Sequence, residues 1–177
     1  MTPFEFQPNL SGELLHLRPL VDSDFEALYK VASDPLVWEQ HPRKSRYKRD
    51  IFADFFRVAI ESGGAFLAID TKTGEAIGSS RYHSLKPELS EVEIGYTFLA
   101  RRCWGHTYNR EMKRLMLAHA FRFVDSVVFV IGEKNARSRA AVEKIGAQYE
   151  GPLVREYLDG VAYTSVLYRL RKGHAPL

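Results

Sequence analysis

The stretch that most constrains the fold is EVEIGYTFLARRCWGHTYNR, residues 91–110. Residues 92–99 predict a strand that ends directly in a loop, and a helix follows from Thr107. The first turn of a helix has backbone N–H groups without intrahelical partners and carries about half a positive charge. Arg102 adds a full positive charge, and Gly105 lets a ligand approach the backbone closely. The junction therefore predicts a phosphate-binding loop.

The rest of the chain supplies further strands and helices around this junction. We expect strands at 13–20, 65–70, 76–83, 92–99, 126–131, 148–157 and 161–170, and helices at 22–33, 47–61, 107–123 and 135–144. Polar turns ending in Gly74 and Gly160 predict two hairpins. Hairpins combined with one strand-helix-strand crossover predict an α/β (α+β) fold, in which a mixed sheet is flanked by helices.

The composition is that of an ordinary globular protein. Of the 177 residues, 45% are hydrophobic and 27% are charged, and the formal net charge is +3. No apolar run approaches the ~20 residues of a membrane helix, and residues 1–12 lack the pattern of a signal peptide. Cys103 is the only cysteine, which excludes an internal disulfide. We expect one cytoplasmic domain covering residues 1–177, with no membrane contact.

The order of these parts resembles the GNAT superfamily of acetyl-CoA-dependent N-acyltransferases. Within that superfamily the chain is most similar to the RimJ/RimL-like branch, which contains the ribosomal-protein alanine N-acetyltransferases. The resemblance is carried by IGYTFL at 94–99, by WG at 104–105 and by NARSRAAVEKIG at 135–146. The chain departs from the family loop at Thr107, where Gly or Ala is usual.

The resemblance implies a mostly antiparallel, seven-stranded sheet that is splayed between its fourth and fifth strands. The pantetheine arm of acetyl-CoA would lie in that gap, and an acetyl group would pass directly to a primary amine on a protein N-terminus, an amino acid or a small molecule. The residues expected to bind the coenzyme are Thr97, Phe98, Leu99, Arg102, Trp104, Gly105, His106, Thr107, Tyr108, Asn109, Asn135, Arg137 and Ser138.

Two residues are predicted to take part in the chemistry. Glu91 and Glu93 share one face of their strand, and Glu93 lies deeper, where partial burial would raise its pKa toward that of a general base. The alternative is a structural carboxylate paired with Arg81 or another cation. The family often has a tyrosine as proton donor where this chain has Val142, so Ser138 becomes the candidate donor to the thiolate, or else a surface hydroxyl.

The acceptor is less constrained by the sequence. Trp38, His41, Tyr82, His83 and Glu91 are the residues predicted to line its site, and packing is the alternative for each. His119 falls on an apolar helix stripe and is expected to be a core histidine. The histidines show no metal-ligand spacing, so we expect no metal. The protein would act as a monomer or a homodimer.

Other functions are also compatible with the sequence. One is a non-catalytic acyl-CoA-binding or interaction module with the same fold. Another involves a basic cluster that consists of Arg43, Lys44, Arg46, Lys48 and Arg49. The cluster is expected to be a solvated loop and helix start, or else a rim that attracts an acidic substrate or the phosphates of the cofactor, and RNA binding is the least favoured alternative. A covalent acyl-cysteine route through Cys103 and His106 is disfavoured, because both belong to the predicted phosphate loop.

Overall fold

The computed structural model describes residues 3–105, 107–156 and 162–174. Within them, eight strands form one sheet in the order β1-β2-β3-β4-β5-β6-β8-β7. The strands are β1 (Leu10–Ser11), β2 (Leu15–Pro19), β3 (Ala65–Asp70), β4 (Ala76–Lys86), β5 (Glu91–Leu99), β6 (Ser126–Gly132), β7 (Gln148–Glu156) and β8 (Ala162–Arg171). The helices are α1 (Phe25–Ala32), α2 (Arg49–Glu61), α3 (Tyr108–Ala120) and α4 (Ala136–Glu143). Among these described strands only β5 and β6 pair in parallel, which confirms the mixed, mostly antiparallel sheet.

The prediction of seven strands was one strand short. β1 has two residues and pairs with β2, and a segment of that length has no alternation for a sequence pattern to reveal. The predicted helix 22–33 begins as a 3-10 turn, Asp22–Asp24, before α1. The carboxylate of Asp24 accepts hydrogen bonds from Arg18 and from the Val21 N–H, which tightens the chain there. The predicted turn at residues 159–160 lies outside the described residues.

The helices cover both faces of the sheet. Alternate residues of β3 enter different hydrophobic clusters, with Phe66 and Ala68 in the first and Ala65 and Leu67 in the second. Successive residues of a strand point to opposite faces, so the clusters lie on opposite sides. The first cluster includes Ile94, Met112, Met116 and Val142, and the second includes Leu28, Phe52, Phe56 and Phe98. Helices α3 and α4 therefore pack on one face, and α1 and α2 on the other.

Helix α3 is fixed to the edge of the sheet by Glu111. Its carboxylate accepts backbone N–H groups of Glu13, Leu14 and Leu15 at 2.9, 2.8 and 3.0 Å. These contacts hold the first turns of α3, and hence the loop before it, against the start of β2. Among the described residues, no helix has both the length and the apolar character needed to cross a membrane.

Candidate active site

β5 and β6 pair over a short distance and then separate. Their parallel register runs only from Glu91 beside Ser126 to Glu93 beside Val128. β5 continues to Leu99, so among the described residues its second half has no strand neighbour on that edge. This confirms the predicted splay, because β5 and β6 are the fourth and fifth of the seven predicted strands. An open strand edge has backbone groups that can bind an extended ligand.

The backbone of β5 is distorted where the gap opens. Tyr96 has a φ of +54°, a conformation that is strained for a residue with a side chain. The register with β4 also shifts between Ser79 and Arg81, opposite this point. Strain of this kind persists only where the surrounding structure enforces it, and here the ring of Tyr96 lies 4.9 Å from that of His83. The distortion lies just beyond the last residue of β5 that pairs with β6.

Glu93 lies at the last paired position before the gap and is 5% exposed. Its Oε1 atom is 3.2 Å from His83 Nε2, although the two are not aligned as a hydrogen bond. The other ring nitrogen of His83 lies 2.9 Å from Ser84 Oγ. A Cβ atom on Gly95 would be 2.7 Å from His83 Nε2 and 3.4 Å from Glu93 Oε1. The glycine therefore keeps the space beside this carboxylate and imidazole open.

Arg81 is the cation that the sequence offered as a partner for Glu93. The structure places it on β4 opposite Gly95, yet it forms no ion pair within the described part of the chain. Its guanidinium carbon lies 4.2 Å from the centroid of the Tyr96 ring instead. Glu93 and Arg81 are thus neighbours on the sheet that do not neutralise each other.

The connection between α1 and α2 reaches across the open ends of β5 and β6. At one end, the ring of Trp38 lies 4.9 Å from that of Phe98 on β5. At the other end, Pro42 packs on Gly132 of β6, where a Cβ atom would lie 2.7 Å from Pro42 Cγ. Gln40 Oε1 accepts the backbone N–H of Arg137 at 3.0 Å, which ties the connection to the start of α4.

Two predicted acceptor residues belong to this connection, and both are held by it. The indole N–H of Trp38 donates to the Ala32 carbonyl at 2.8 Å. His41 accepts the Arg43 N–H at Nδ1, and its Nε2 lies 3.2 Å from Arg46 Nη1. Burial and the positive charges of Arg46 and Arg43 hold the pKa of His41 well below its ordinary value. His41 is therefore neutral at neutral pH.

The loop after β5 uses its arginine in contacts within the protein. Arg102 donates to Asp70 at 3.3 Å and to Glu75 at 2.9 Å, and Tyr108 also donates to Asp70, at 2.9 Å. Burial acts to raise the pKa of Asp70, but hydrogen bonds from the Lys72 N–H, Tyr108, the Thr73 N–H and Arg102 outweigh it and leave that pKa lowered. Arg102 is thus about half exposed and anchored at the mouth of the predicted phosphate loop.

The remaining loop residues lie around the start of α3. Gly105 has a φ of +69°, which glycine adopts without strain, and Thr107 is the N-cap of α3 with no capping hydrogen bond from its side chain. Asn109 lies in the first turn of the helix, and the predicted His106 lies outside the described residues. Cys103 is buried, and burial raises the pKa of its thiol, which opposes the covalent route.

Trp104 joins the end of β5 to the start of α4. Its indole N–H donates to the Leu99 carbonyl at 2.9 Å, and the guanidinium of Arg137 lies 3.7 Å from its ring centroid. Arg137 also donates to the Val37 carbonyl at 3.2 Å. Burial lowers the pKa of Arg137. The predicted residues Leu99, Trp104 and Arg137 therefore form one group at the open end of the gap.

Asn135 and Ser138 form the N-terminus of α4. The side-chain oxygen of Asn135 accepts the Ser138 N–H at 3.2 Å, which is the arrangement of a helix N-cap. Asn135 is buried, and the side chain of Ser138 is partly exposed. Capping was one of the two roles expected of Asn135.

Two predicted acceptor residues lie apart from the group around Glu93. Tyr82 is fully buried on the α3 face of β4, and its hydroxyl donates to the Met116 carbonyl. Glu91 lies at the closed end of the β5–β6 pair, where Arg169 and Lys86 neutralise it. Core packing was the stated alternative for Tyr82. His119 is a core histidine as predicted, with Nε2 2.8 Å from the Glu5 carbonyl oxygen.

Sequence reasoning missed Lys113. This lysine of α3 is 3% exposed, and its Nζ atom donates to Thr97 Oγ1 at 2.6 Å and lies 3.5 Å from Ser80 Oγ. Thr97 and Ser80 also lie within 2.8 Å of each other through their hydroxyls. A lysine next to Met112, on the apolar stripe of an otherwise amphipathic helix, was the available signal. The side chain of Thr97 thus faces α3.

Comparison with known proteins assigns the fold to a family. Residues 15–148 match the family described as "Acetyltransferase (GNAT) domain", which is about three quarters of the chain. The chain belongs to the GNAT family. The match spans β2 to the start of β7 and so includes the splayed strands, the loop before α3 and the cap of α4.

Solved structures share the fold of this GNAT domain. A protein classed as an acetyltransferase from T. thermophilus is 26% identical and superposes with a TM-score of 0.80, over 97% of this chain and 93% of the other. A GCN5-related N-acetyltransferase from Brucella melitensis is 18% identical, with a TM-score of 0.83 over 96% and 80%. Mycobacterium smegmatis RimJ, solved in complex with CoA-disulfide, is 20% identical, with a TM-score of 0.69 over 92% and 84%. At these identities the last two show the fold alone.

Proposed function

We propose that this GNAT domain transfers an acetyl group from acetyl-CoA directly to a primary amine. The observation that supports this most is the placement of the buried carboxylate of Glu93 beside the partly exposed imidazole of His83, at the point where β5 and β6 separate. A base is needed at the mouth of a gap that admits the thioester. The GNAT membership and the RimJ complex with CoA-disulfide support coenzyme A as the carrier of the acyl group.

In this proposal Glu93 removes a proton from the ammonium form of the acceptor, because only a neutral amine can attack. An alkyl amine has a pKa near 10.4, so this step matters at neutral pH. The amine nitrogen forms a bond to the thioester carbonyl carbon, and the carbon–sulfur bond breaks. The electron pair of that bond leaves on sulfur, where the Ser138 hydroxyl donates a hydrogen bond. The attacking nitrogen then loses its second proton, which passes to the thiolate, and the products are the acetylated amine and coenzyme A with a free thiol.

Coenzyme A binding is assigned to three groups of residues. The open edge of β5, at Thr97 to Leu99, bonds the pantetheine amides and the thioester through its backbone. The loop from Arg102 to Asn109 holds the pyrophosphate. Asn135, Arg137 and Ser138 border the thiol end. Arg102 would exchange one of its two carboxylate contacts for phosphate, which is compatible with its half-exposed side chain.

The finer assignments are part of the same proposal. Residues 1–177 form a single cytoplasmic acetyltransferase domain of the RimJ/RimL-like branch, acting as a monomer or a homodimer. The spermidine N-acetyltransferase of Vibrio cholerae, solved with CoA and spermine, shares the fold at 16% identity and a TM-score of 0.69. Its acceptor is a small amine, so the fold is compatible with small amines as well as protein N-termini.

The substitution Glu93→Gln tests the assignment of the base. It keeps the size and polarity of the side chain and removes its basicity, so we expect kcat to fall by about 10²–10⁴-fold. The affinity for coenzyme A, measured by calorimetry, is expected to change by less than threefold. Glu88→Gln, a change of an exposed residue shortly before β5, is the matched control and keeps full turnover. Unchanged turnover in the Glu93 variant would remove this residue from the mechanism.

One observation favours a second function. Arg102 is held by two carboxylates, Asp70 and Glu75, as it would be in a loop that has exchanged phosphate binding for a structural role. A non-catalytic acyl-CoA-binding or interaction module is then the alternative. Assay of acetyl-CoA turnover against a panel of amines separates the two functions, since a module binds the coenzyme and forms no product.

A further inference from the structure

Arg81 carries a positive charge into the interior of the candidate active site. The side chain is 3% exposed, and its Nε–H has no hydrogen-bond partner among the described residues. In the same part of the chain no carboxylate lies within ion-pair distance of it. Its guanidinium carbon lies 4.2 Å from the Tyr96 ring centroid and 5.8 Å from that of Phe55. Both contacts are with aromatic rings, which have no formal charge to balance that of the guanidinium.

Such a cation is costly unless something pairs with it. Desolvation lowers the pKa of Arg81, yet a guanidinium stays protonated in proteins, so the charge is present at every physiological pH. Cation–π contacts return about 2 kcal/mol when desolvated, whereas a buried charge without a partner costs several kcal/mol. Buried polar groups left unsatisfied in a native structure are often functional. An anionic ligand would supply the negative charge and the hydrogen-bond acceptor for Arg81 that the described part of the protein does not.

The position of Arg81 suggests which ligand this is. Arg81 is paired across the strands with Gly95, and His83 is paired with Glu93, so the three side chains lie on one face around a residue without a side chain. Positions two residues apart on a strand are separated by roughly 7 Å. A molecule with its amine at Glu93 and a carboxylate a few bonds away would therefore reach Arg81.

The surroundings favour an anion over a second cation at this point. Arg46 is also buried on this face, with its guanidinium carbon 4.5 Å from the Phe55 ring that Arg81 shares. Two arginine side chains thus contact one aromatic ring at this point. A planar carboxylate matches the fork of N–H donors on arginine and is the group that arginine binds most specifically.

We propose that Arg81 binds a carboxylate of the amine acceptor, and that the acceptor is a free amino acid or a similar short amino carboxylate. This inference rests on the proposed acetyl transfer and makes it specific. Glu93 receives the proton of the amine, and Arg81 holds the carboxylate so that the nitrogen faces the thioester. A carboxylate on the acyl group would satisfy the same arginine, so the test separates the two sources.

The test uses the wild-type protein with acetyl-CoA and a panel of amino acids, each compared with its own carboxamide. The two members of a pair share the amine and the side chain. Loss of the carboxylate lowers the pKa of the amine, so the carboxamide has more of the reactive neutral form. We expect kcat/KM to be at least tenfold higher for the acid nonetheless. Equal or better use of the carboxamides would overturn the inference and leave the acetyl transfer intact.

Variants assign the preference to Arg81. We expect Arg81→Gln to abolish the preference for the acid through a higher KM for the acid, with the KM for acetyl-CoA unchanged. Arg57→Gln, in which an exposed arginine of α2 loses its ion pair with Glu61, keeps the preference. Loss of coenzyme A binding would show that Arg81→Gln does not fold. In that case the comparison of each acid with its carboxamide on the wild-type protein still tests the inference.

Two outcomes would point elsewhere. Faster transfer from succinyl-CoA than from acetyl-CoA, with no preference between acid and carboxamide, would place the carboxylate on the acyl group and overturn the assignment to the acceptor. Absence of any acylated product from the amino acids and their carboxamides, with either acyl-CoA, would overturn this inference, and absence of product across the wider panel of amines as well would remove the proposed function.

Discussion

The amino group of Lys113 lies beside the gap between β5 and β6, on the side of the sheet that α3 covers. Its neighbours are the hydroxyls of Thr97 and Ser80 and the ring of Phe129, whose centroid lies 5.6 Å from Nζ. Thr97 lies beyond the last paired residue of β5, and Phe129 lies just beyond that of β6. Burial among neutral groups lowers the pKa of Lys113 to about 7. Two hydroxyls take the place of the carboxylate that a buried lysine usually has.

This lysine predicts a pH dependence of stability. Between pH 7 and about 10 the unfolded chain keeps the proton on Lys113 and the folded chain has lost it, so the free energy of unfolding rises with pH in that interval. We expect the rise from pH 7 to 8.5 to amount to about 1–2 kcal/mol, with a folded-state pKa near 7. Denaturant unfolding at both pH values measures it.

The variant Lys113→Met isolates this contribution. It removes the titrating group and keeps an unbranched side chain, so we expect its unfolding free energy to lack the rise seen in the wild type. Lys134→Met, a change of an exposed lysine, should follow the wild-type curve. Parallel curves for the wild type and Lys113→Met would show that the buried amine does not titrate in this range.

At the scale of elements, α4 depends on its cap more than on its length. The helix has eight residues, of which Val142 is buried, and a helix this short is marginal by itself. Asn135 satisfies the Ser138 N–H, and Arg139 donates to the Glu133 carbonyl before the helix. The cap therefore also determines where Ser138 lies relative to the end of β6.

Replacing the cap tests this dependence. Asn135→Ala removes the acceptor for the Ser138 N–H, and we expect a loss of about 1 kcal/mol in the free energy of unfolding, measured with urea. Asn135→Asp keeps a side-chain oxygen at the cap and should retain most of the stability. Equal losses in the two variants would mean that the amide group acts through another contact.

The molecule as a whole is one sheet with helices on both faces, and the sheet opens where β5 and β6 separate. The first hydrophobic cluster contains residues of β2, β3, β4, β5, β6 and β8, and the second joins α1 and α2 to β3 and β5. β5 contributes to both clusters through Ile94 and Phe98. The two strands share the first cluster, and the separated part of β5 is also packed on the second through Phe98. A ligand in the gap would join them.

Coenzyme A is therefore expected to stabilise the entire fold. At a coenzyme concentration 100 times its Kd, the free energy of unfolding should rise by about 2.7 kcal/mol. For a chain of this size that corresponds to a gain in melting temperature of roughly 5–10 °C. Dithiothreitol, a thiol without the nucleotide, amine or carboxylate, is the control and should have no effect. If calorimetry detects no heat and the melting temperature does not move, the coenzyme assignment is wrong.

Local patterns in the sequence determined the elements of this protein. The alternation along β2, the continuous apolar run of β6, the helical stripe of α3, the Asn at the start of α4 and the strand-loop-helix order around Arg102 are each written within a few neighbouring residues. Such signals depend on the period of a strand or helix and on capping chemistry, which act over short distances along the chain. The predicted number of strands was one too low because β1 has only two residues, which is too short for a periodic pattern.

The partners of charged side chains were decided by the tertiary structure. Arg102 pairs with Asp70 from a segment 32 residues away, Lys113 meets Ser80 33 residues away, and Arg81 lies beside Gly95 through strand register. Ion pairing, burial and convergence on one face depend on which distant segments the fold brings together. The sequence shows which residues can carry a charge. Only the packed sheet decides which of those charges has no partner within the protein and can bind a ligand.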